Sequence, residues 1–405
     1  MKCELLSPAG SFEKLKTAIL YGADAVYVGG KSLSLRAQAD NFSDEEIVQA
    51  IEYTHARGKK IYVAVNIFAH NRDLDRVKEF ITLLDKHGAD AVIVSDLGII
   101  RLIKEYAPNL KFHISTQANI TNKESVKMWR DLGAERVVLA RELSLQEIKE
   151  IHDYVPDIDI ECFIHGAMCI SYSGRCLLSE YFNGRDANLG DCVQACRWKY
   201  SIREEGRDGE YCEISEDQRG TYILNSKDLN MIEYIGQMLD VGVLSFKIEG
   251  RMKSEYYLAT VVNAYRRAID EYYKKGEIYS KNSLYITELE KTAHRAFTTC
   301  YTLGKNLNTV NHDNSQSKGT SVFIGVVKGY NKDKGCAIVE MRNRFKIGDE
   351  LEVLSPTDNF NKKILVEKLT DNKGVLVEDA KIVQQELYLY TDVILTQGDI
   401  LRKSV

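Results

Sequence analysis

Four of the nine cysteines of this chain lie between positions 169 and 196, and their thiolates are the groups best able to do chemistry. Cys169, Cys176, Cys192 and Cys196 are separated by six, fifteen and three residues. Four thiolates on one loop system can hold a zinc ion or an iron–sulfur cluster. The paired two-residue gaps typical of zinc ribbons are absent from the sequence, so the spacing favours an iron–sulfur cluster over zinc.

Two other interpretations of these cysteines stay open. Buried cysteines can pack simply as small apolar groups. His165 precedes Cys169 by four residues, and a Cys–His pair can form a nucleophile if the ring reaches the sulfur. The segment "ECFIHGAMC" supplies no orienting partner for such a pair, and one nucleophile does not need three further cysteines. A disulfide framework is disfavoured because nine is an odd number and the N-terminus lacks a secretory signal.

The composition indicates a soluble, cytoplasmic protein. Its 405 residues are 44% hydrophobic and 28% charged, which is enough for a large core and for two domains. No stretch is apolar enough to span a bilayer, so we expect no membrane partner. The net charge of −5 is not that of a dedicated nucleic-acid binder, although a local basic patch suffices to hold phosphates.

Short apolar runs alternate with amphipathic segments up to residue 275, and this alternation predicts an α/β fold, a (β/α)8 TIM-like barrel. The eight predicted strands are residues 3–7, 25–29, 60–66, 90–96, 111–116, 136–141, 159–166 and 243–250. Helical patterns lie between them, such as "SDEEIVQAIEYTHARG", in which Ser43 is the expected N-cap.

The alternation breaks once, after the seventh predicted strand. A helix predicted over 226–239 takes the end of the long connection, so residues 167–225 form an insertion. An insertion after the carboxyl end of a strand lies on the catalytic face of a barrel, which puts the cysteines at its mouth. We therefore predict a catalytic barrel domain over 1–303, a polar linker over 304–320 and a small all-β domain over 321–405 without an obvious catalytic constellation.

Polar side chains collect at the predicted strand ends, where barrel enzymes carry their functional groups. Cations from the sixth and eighth strands suit an anionic ligand, because arginine forks a carboxylate or phosphate and lysine adds a point charge. The candidate catalytic residues are His165, Lys247 and Glu249, and the candidate substrate-binding residues are Asn66, Gln117, Arg141, Arg251, Arg197 and Trp198. Each of them, taken alone, also suits a capping or solvated position on a barrel.

The segment "ECFIHGAMCISYSGRCLLS" (161–179) resembles the signature of the collagenase-like peptidase family, a group of unknown catalytic type. The matching positions are Glu161, Gly166, Ala167, Cys169, Gly174, Cys176 and Ser179. The segments "ELLSPAGSFEKLKTAILYGADAVYVGG", "HISTQANITN", "SFKIEGRMKSEYY" and "GDCVQACRWKY" also look like that family. With the β-rich tail included, the resemblance covers nearly the whole chain.

Within this family the chain looks most like the tRNA hydroxylation branch, whose members take part in making 5-hydroxyuridine at the wobble position of tRNA. The resemblance implies dependence on prephenate and on the iron–sulfur assembly machinery. It also implies a [4Fe-4S] cluster on Cys169, Cys176, Cys192 and Cys196. Some ring-hydroxylating relatives take their fourth cysteine from farther along the chain, which leaves Cys212 as the alternative to Cys196.

The family name keeps a collagenase-like peptidase, a hydrolase, as the alternative function. A second alternative is a non-enzymatic RNA-binding or assembly factor whose cluster is structural. The sequence supports proteolysis poorly, because it contains no His-Glu-x-x-His metal motif and no Ser, His, Asp ordering.

Our mechanistic hypothesis is that the barrel mouth binds the flipped-out wobble uracil of the tRNA anticodon loop beside the cluster. Aromatic residues on the insertion are available for base stacking, and arginines beside them for phosphates. The stacking candidates are Tyr172, Tyr181, Phe182 and Trp198. Arg141, Arg251 and Lys247 are the expected partners of the two prephenate carboxylates.

Overall fold

The barrel predicted from the sequence is present in the computed structural model as eight parallel strands that close on themselves. The structure describes residues 2–31, 33–34, 41–169, 226–275, 283–304 and 319–405, and between 169 and 226 only residues 171, 176, 178–183, 185, 192–193, 195, 216–217 and 220–221. The first seven barrel strands are β1 (Glu4–Pro8), β2 (Ala25–Gly29), β3 (Lys60–Ala64), β4 (Ala91–Val94), β5 (Phe112–Ile114), β6 (Arg136–Val138) and β7 (Asp159–Ala167). Three strands lead on to the eighth: β8 (Glu216–Asp217), β9 (Gly220–Thr221), β10 (Asp228–Asn230) and then the last barrel strand, β11 (Ser245–Ile248).

The closure of the barrel fixes which side chains share a layer. The last strand, β11, pairs in parallel with both β1 and β7, so that Ser245 lies opposite Glu4 on one side and opposite Glu161 on the other. Two carboxylates far apart in sequence therefore meet at one level of the barrel interior. A layer of this kind needs cations as well, because buried carboxylates are stable only when they are paired.

Ten helices are described, and those that connect successive barrel strands cover the outside of the sheet. They are α1 (Phe12–Leu20), α2 (Asp44–His55), α3 (Leu74–Lys86), α4 (Leu97–Tyr106), α5 (Lys123–Asp131), α6 (Leu145–Tyr154), α7 (Leu178–Asn183), α8 (Ile235–Asp240), α9 (Glu255–Lys275) and α10 (Ser283–Glu290). Ser43 caps α2 as expected, since its hydroxyl accepts from the Glu46 amide while the Glu46 carboxylate accepts from the Ser43 amide. No helix in the described ranges is long and apolar enough to cross a membrane.

The segment that follows the insertion departs from the prediction of one helix over 226–239. Strand β10 forms there instead, antiparallel to β7, and a 3₁₀ turn (Ile232–Tyr234) leads into the short α8. Asp228 on β10 is buried and accepts from Arg295, with an Oδ1 to Nη2 distance of 2.7 Å. This buried ion pair and the ladder with β7 override the local helical pattern. As a result, Ala167 and Asp228 are paired, and the insertion leaves and rejoins the barrel at one point.

The C-terminal part is an all-β domain, as the sequence predicts. After β12 (Phe297–Thr298), which pairs with β10, the strands are β13 (Ser321–Asn331), β14 (Cys336–Met341), β15 (Phe345–Lys346), β16 (Glu350–Leu354), β17 (Lys363–Leu365), β18 (Leu369–Thr370), β19 (Asp379–Ala380), β20 (Glu386–Tyr390) and β21 (Ile400–Ser404). The seven-stranded sheet of the domain has the order β17-β16-β21-β13-β14-β20-β18. This domain docks on the barrel helices, where the Tyr21 hydroxyl of the barrel lies 2.9 Å from the carbonyl oxygens of both Leu354 and Gly398.

A buried ionic cluster, which we call the docking network, joins the two parts. It consists of Glu288, Lys291, Glu352, Asn361 and Arg402. Arg402 on β21 is fully buried and donates to both carboxylate oxygens of Glu288 on α10. Burial lowers the pKa of Arg402, but the Glu288 carboxylate outweighs burial and raises it above its usual value. The C-terminal domain is therefore held by charges that are paired away from water.

Candidate active site at the barrel mouth

A second ionic cluster, which we call the barrel network, fills the interior of the barrel. It consists of Glu4, Tyr62, Arg136, Glu161, Ser245 and Lys247. Arg136 donates from Nη1 to both Glu4 and Glu161, and it is 5% exposed. The Tyr62 hydroxyl donates to the Glu4 carboxylate at 2.6 Å. The interior of this barrel is thus polar, where most barrels have branched apolar side chains.

Glu161 is the central anion of the barrel network. It is completely buried, and its Oε1 accepts from the Lys247 ammonium at 2.7 Å while its Oε2 accepts from Arg136 at 3.2 Å. Burial raises the pKa of Glu161, but Lys247 and Arg136 outweigh the effect of burial and lower the pKa to about 2. Glu161 is therefore ionised at neutral pH and holds Lys247 by charge.

Next to the barrel network, two cations, Arg141 and Lys247, approach the same aromatic ring, that of Phe163. The Lys247 Nζ lies 4.7 Å from the ring centroid of Tyr27 and 5.5 Å from that of Phe163. The Arg141 guanidinium lies 4.1 Å from the Phe163 centroid and donates to the Ala167 carbonyl at 3.0 Å. We call this group (Tyr27, Arg141, Phe163 and Lys247) the mouth floor. The sequence predicts cations from the sixth and eighth strands at the mouth, and the structure has Lys247 within β11, where it is only 4% exposed.

The other predicted mouth residues lie around the carboxyl ends of the strands. Arg251 is 3% exposed and approaches β2 so closely that a Cβ at Gly29 would lie 2.3 Å from its Nη1 and would displace the guanidinium. Asn66 donates from Nδ2 to the Ser115 hydroxyl at 3.4 Å. The remaining two are Gln117, buried in the 3₁₀ turn Thr116–Ala118, and Glu249, partly buried just after β11. The strand ends therefore surround the mouth floor with polar groups.

His165 lies on β7, in an aromatic environment to which α9 contributes two tyrosines. It is 2% exposed, and its ring contacts are with Tyr257, Tyr265 and Phe297 at centroid distances of 6.1, 5.5 and 5.7 Å. Burial lowers the pKa of His165 to about 3, although the nearby Asp228 opposes this shift. Its ring is therefore neutral at pH 7. Within the described part of the chain no cysteine contacts it, so the structure assembles no Cys–His nucleophile there.

The cysteine segment follows β7 directly. The Cys169 residue lies two positions after that strand, and α7 supplies hydrogen bonds to two further sulfurs. The Leu178 amide donates to the Cys176 Sγ at 3.4 Å, and the Ser179 hydroxyl lies 3.7 Å from the Cys192 Sγ. Donors of this kind accompany the thiolates of iron–sulfur clusters, so the donor chemistry of Cys176 and Cys192 fits such a group.

The described residues do not complete a metal site. No three side chains among His, Cys, Asp and Glu lie close enough together to hold a metal ion within the described ranges. Several predicted site residues lie outside those ranges: Tyr172, Cys196, Arg197, Trp198 and Cys212. Their assignments stay predictions, and so does the choice of the fourth cysteine ligand.

Sequence reasoning names Lys247 and Glu161 but misses the rest of the barrel network and the ring of Phe163. A signal for the network was present, because Glu4 and Arg136 are charged residues within otherwise apolar strands. Charged groups are buried almost only when they are paired, so each of them required an interior partner. No comparable signal marked Phe163, since an aromatic residue in a strand is ordinary.

The fold and the site define a TIM-like barrel protein with a cationic mouth, a cysteine-bearing insertion after β7 and an accessory β domain. The chain matches the model of peptidase family U32 over residues 10–312 and the model of the C-terminal domain of that family over residues 320–402. The chain therefore belongs to peptidase family U32, which confirms the resemblance found in residues 161–179.

Curated relatives of this chain carry different names. A tRNA hydroxylation protein of Bacillus subtilis is 40% identical over 408 residues, which cover 99% of this chain and 95% of that protein. A 23S rRNA 5-hydroxycytidine synthase of Escherichia coli is 39% identical over 304 residues, which cover 73% of this chain and 45% of that protein. A collagenase of Porphyromonas gingivalis is 32% identical over 367 residues, 87% of each chain.

Proposed function

We propose that this protein hydroxylates RNA, and that its substrate is the wobble uridine of tRNA, which it converts to 5-hydroxyuridine. The observation that carries this proposal is the 40% identity, over 99% of the chain, to a protein named for tRNA hydroxylation. A second relative, named for a 5-hydroxylated cytidine in rRNA, acts on the same class of base. The polar, cationic mouth next to the cysteine segment suits such a substrate.

We further propose that Cys169, Cys176, Cys192 and Cys196 hold a [4Fe-4S] cluster, with zinc as the competing metal and Cys212 as the competing fourth ligand. The hydrogen bonds that Cys176 and Cys192 receive from α7 support this proposal, because cluster sulfurs commonly accept such bonds. When bound, such a cluster supplies one-electron chemistry beside the base. Because Cys169 directly follows β7, the cluster would lie next to the mouth floor.

Prephenate is the proposed co-substrate, and the charges of the mouth refine which residues would receive its two carboxylates. Lys247, one of the three residues expected to do so, already pairs with Glu161 at 2.7 Å. Arg141 and Arg251 are the better candidates, because arginine binds a carboxylate with two parallel hydrogen bonds, which lysine cannot do.

The test is the nucleoside content of tRNA from a strain that lacks this protein. We expect 5-hydroxyuridine to be absent by mass spectrometry, to return with the wild-type protein and to stay absent with Cys176→Ala. Cys336→Ala is the matched control, since Cys336 is a fully buried cysteine of the C-terminal domain and should restore the modification. Modification that persists in the deletion strain would refute the hydroxylase proposal.

Iron and sulfide analysis of anaerobically purified protein tests the cluster separately. We expect iron and inorganic sulfide in equal amounts in the wild type and their loss in Cys176→Ala. Zinc without sulfide would replace the cluster by a structural metal site and would favour the RNA-binding or assembly factor.

The relative named collagenase is the observation that favours a peptidase. The buried, neutral His165 argues against a Cys–His nucleophile among the described residues. We therefore expect no cleavage of gelatin by cluster-free, metal-stripped protein, and robust cleavage under these conditions would restore the peptidase as the function.

A further inference from the structure

Lys247 has hydrogen-bonding capacity that the described protein does not use. Its ammonium carries three N–H donors, and the described residues accept only one of them, at Glu161. The side chain is nonetheless only 5% exposed, so bulk water has little access to the other two. A buried donor without an acceptor costs free energy, which a ligand oxygen at this position would recover.

The surroundings of these open donors indicate the shape of the ligand. Phe163 faces the barrel interior on β7, and it is partly exposed although the strand residues on either side of it are buried. Its ring lies under the Arg141 guanidinium and within 5.5 Å of the Lys247 ammonium. A flat ring with an oxygen acceptor at its edge suits this floor, because it can stack on the phenyl group while the oxygen meets the ammonium.

We infer that the mouth floor is a binding site for a pyrimidine base, which stacks on Phe163 and accepts a hydrogen bond from Lys247 at a ring carbonyl oxygen. Uracil and cytosine both carry such an oxygen at position 2, so one floor serves either base. This inference rests on the proposed function for the presence of RNA, and it adds the residues that hold the base.

The same geometry makes Glu161 a positioning residue. Its carboxylate is the only described hydrogen-bond acceptor of Lys247, and it thereby holds the ammonium 5.5 Å from the ring centroid of Phe163. Glu4 belongs to the same network and shares Arg136 and Ser245 with Glu161, but among the described residues it accepts no hydrogen bond from Lys247. The two glutamates therefore form a matched pair: both balance the buried cations, and one of them also orients the base-binding donor.

The experiment measures how much the base itself contributes to RNA binding. Cluster-loaded, full-length protein is titrated with two anticodon stem–loops by fluorescence anisotropy, one with uridine and one with an abasic nucleotide at the wobble position. We expect the wild type to bind the uridine loop about tenfold more tightly, as one base–aromatic stack with a hydrogen bond predicts. Phe163→Leu and Lys247→Met should each bring the two affinities to within about twofold.

A comparison of glutamate variants tests the positioning role of Glu161. Glu161→Gln should lose most of the preference for uridine, whereas Glu4→Gln should keep it despite a similar loss of thermal stability. If Glu161→Gln does not fold, Glu161→Asp, which keeps the charge but shortens its reach to Lys247, takes its place. Equal preferences in the Glu4 and Glu161 variants would overturn the positioning role.

Hydroxylation of the uridine loop, measured on the same preparations, separates this inference from the proposed function. A preference for uridine that depends on Phe163 and Lys247 without any hydroxylation would refute the proposed function and leave the base site standing. Hydroxylation with a preference that ignores both residues, or no preference in the wild type, would overturn the base site.

Discussion

The barrel network and the docking network each contain two cations, but they differ in how many of the donors of those cations have an acceptor. The docking cations pair with Glu288 and Glu352, whereas Arg136 of the barrel network pairs with Asp159 as well as with Glu4 and Glu161. In the docking network, all three guanidinium nitrogens of Arg402 donate to Glu288, Glu352 or Asn361. In the barrel network, Lys247 uses one donor of three, and the Nε of Arg136 has no acceptor among the described residues.

This difference teaches how a buried ionic cluster can be assigned to structure or to function. A cluster whose donors are all satisfied gains nothing from a ligand, and its effect is to hold two surfaces together. Open donors in a buried cluster leave a cost that only a bound molecule removes. The docking network is therefore structural, and the upper end of the barrel network, at Lys247, is the part suited to a ligand.

The largest expected effect is the loss of Arg402. Arg402→Met leaves the fully buried Glu288 carboxylate with Lys291 alone, and breaking a buried ion pair in this way costs about 3–5 kcal/mol. Urea unfolding of the full-length protein should show a separate, early transition of the C-terminal domain. Lys247→Met should cost less, since it removes one hydrogen bond from Glu161 and leaves Arg136 and Ser245 in place.

Arg344→Met is the control for this comparison. Arg344 also pairs with a carboxylate of the C-terminal domain, Asp379, but its side chain is 66% exposed. Exposed ion pairs contribute little to stability, so the unfolding curve should stay close to that of the wild type. Equal losses in the Arg402 and Lys247 variants would contradict the distinction between the two networks.

The second effect is a dependence of stability on acid that originates in the barrel network. The pKa of Glu161 falls from its ordinary 4.5 to about 2 on folding, because Lys247 and Arg136 outweigh its burial. Between these values the unfolded chain binds more protons, so this contribution is complete above about pH 4.5 and is lost as the pH falls towards 2. It amounts to roughly 3 kcal/mol. Glu161→Gln should therefore flatten the fall in unfolding free energy across this window, and an unchanged slope would contradict the assignment.

The smallest effects come from two tyrosine hydroxyls, one in the barrel network and one at the interface with the C-terminal domain. Tyr62→Phe removes a donor to the Glu4 carboxylate and should cost about 2 kcal/mol, since bonds to charged groups are the stronger ones. Tyr21→Phe removes a donor to the backbone of the C-terminal domain and should cost about 1 kcal/mol. Thermal unfolding measures both, and neither variant should alter the preference for uridine. A loss of that preference in Tyr62→Phe would extend the functional part of the barrel network down to Glu4.

The sequence predicts the barrel well because its strands are buried on both faces and appear as continuous apolar runs. The second strand is found at the predicted residues 25–29, and the seventh, predicted over 159–166, ends one residue later. The predicted helix over 226–239 is wrong in its first half, because a contact with Arg295 decides the conformation of Asp228. That arginine is 67 residues away, and no local pattern contains it.

Some features of the candidate site can likewise be predicted from the sequence, and others cannot. The position of Arg141 and Arg251 at the mouth follows from where their strands end, and the structure has both there. The partner of Lys247 does not follow, since Glu161 is 86 residues away and meets it only after the barrel closes with one particular register. Local periodicity indicates which residues face inward, but it carries no information on which inward charges are neighbours.

Because Ala167 pairs with Asp228, the length of the insertion between them does not affect the barrel. Residues 168–227 begin and end on two neighbouring strands, so the barrel itself brings their ends together, and the entropy of closing the loop grows only slowly with its length. The insertion can therefore lengthen, shorten or be exchanged between members of the family without a shift in the register of any barrel strand. In evolutionary terms, the length of the cysteine segment can change while the mouth floor stays as it is.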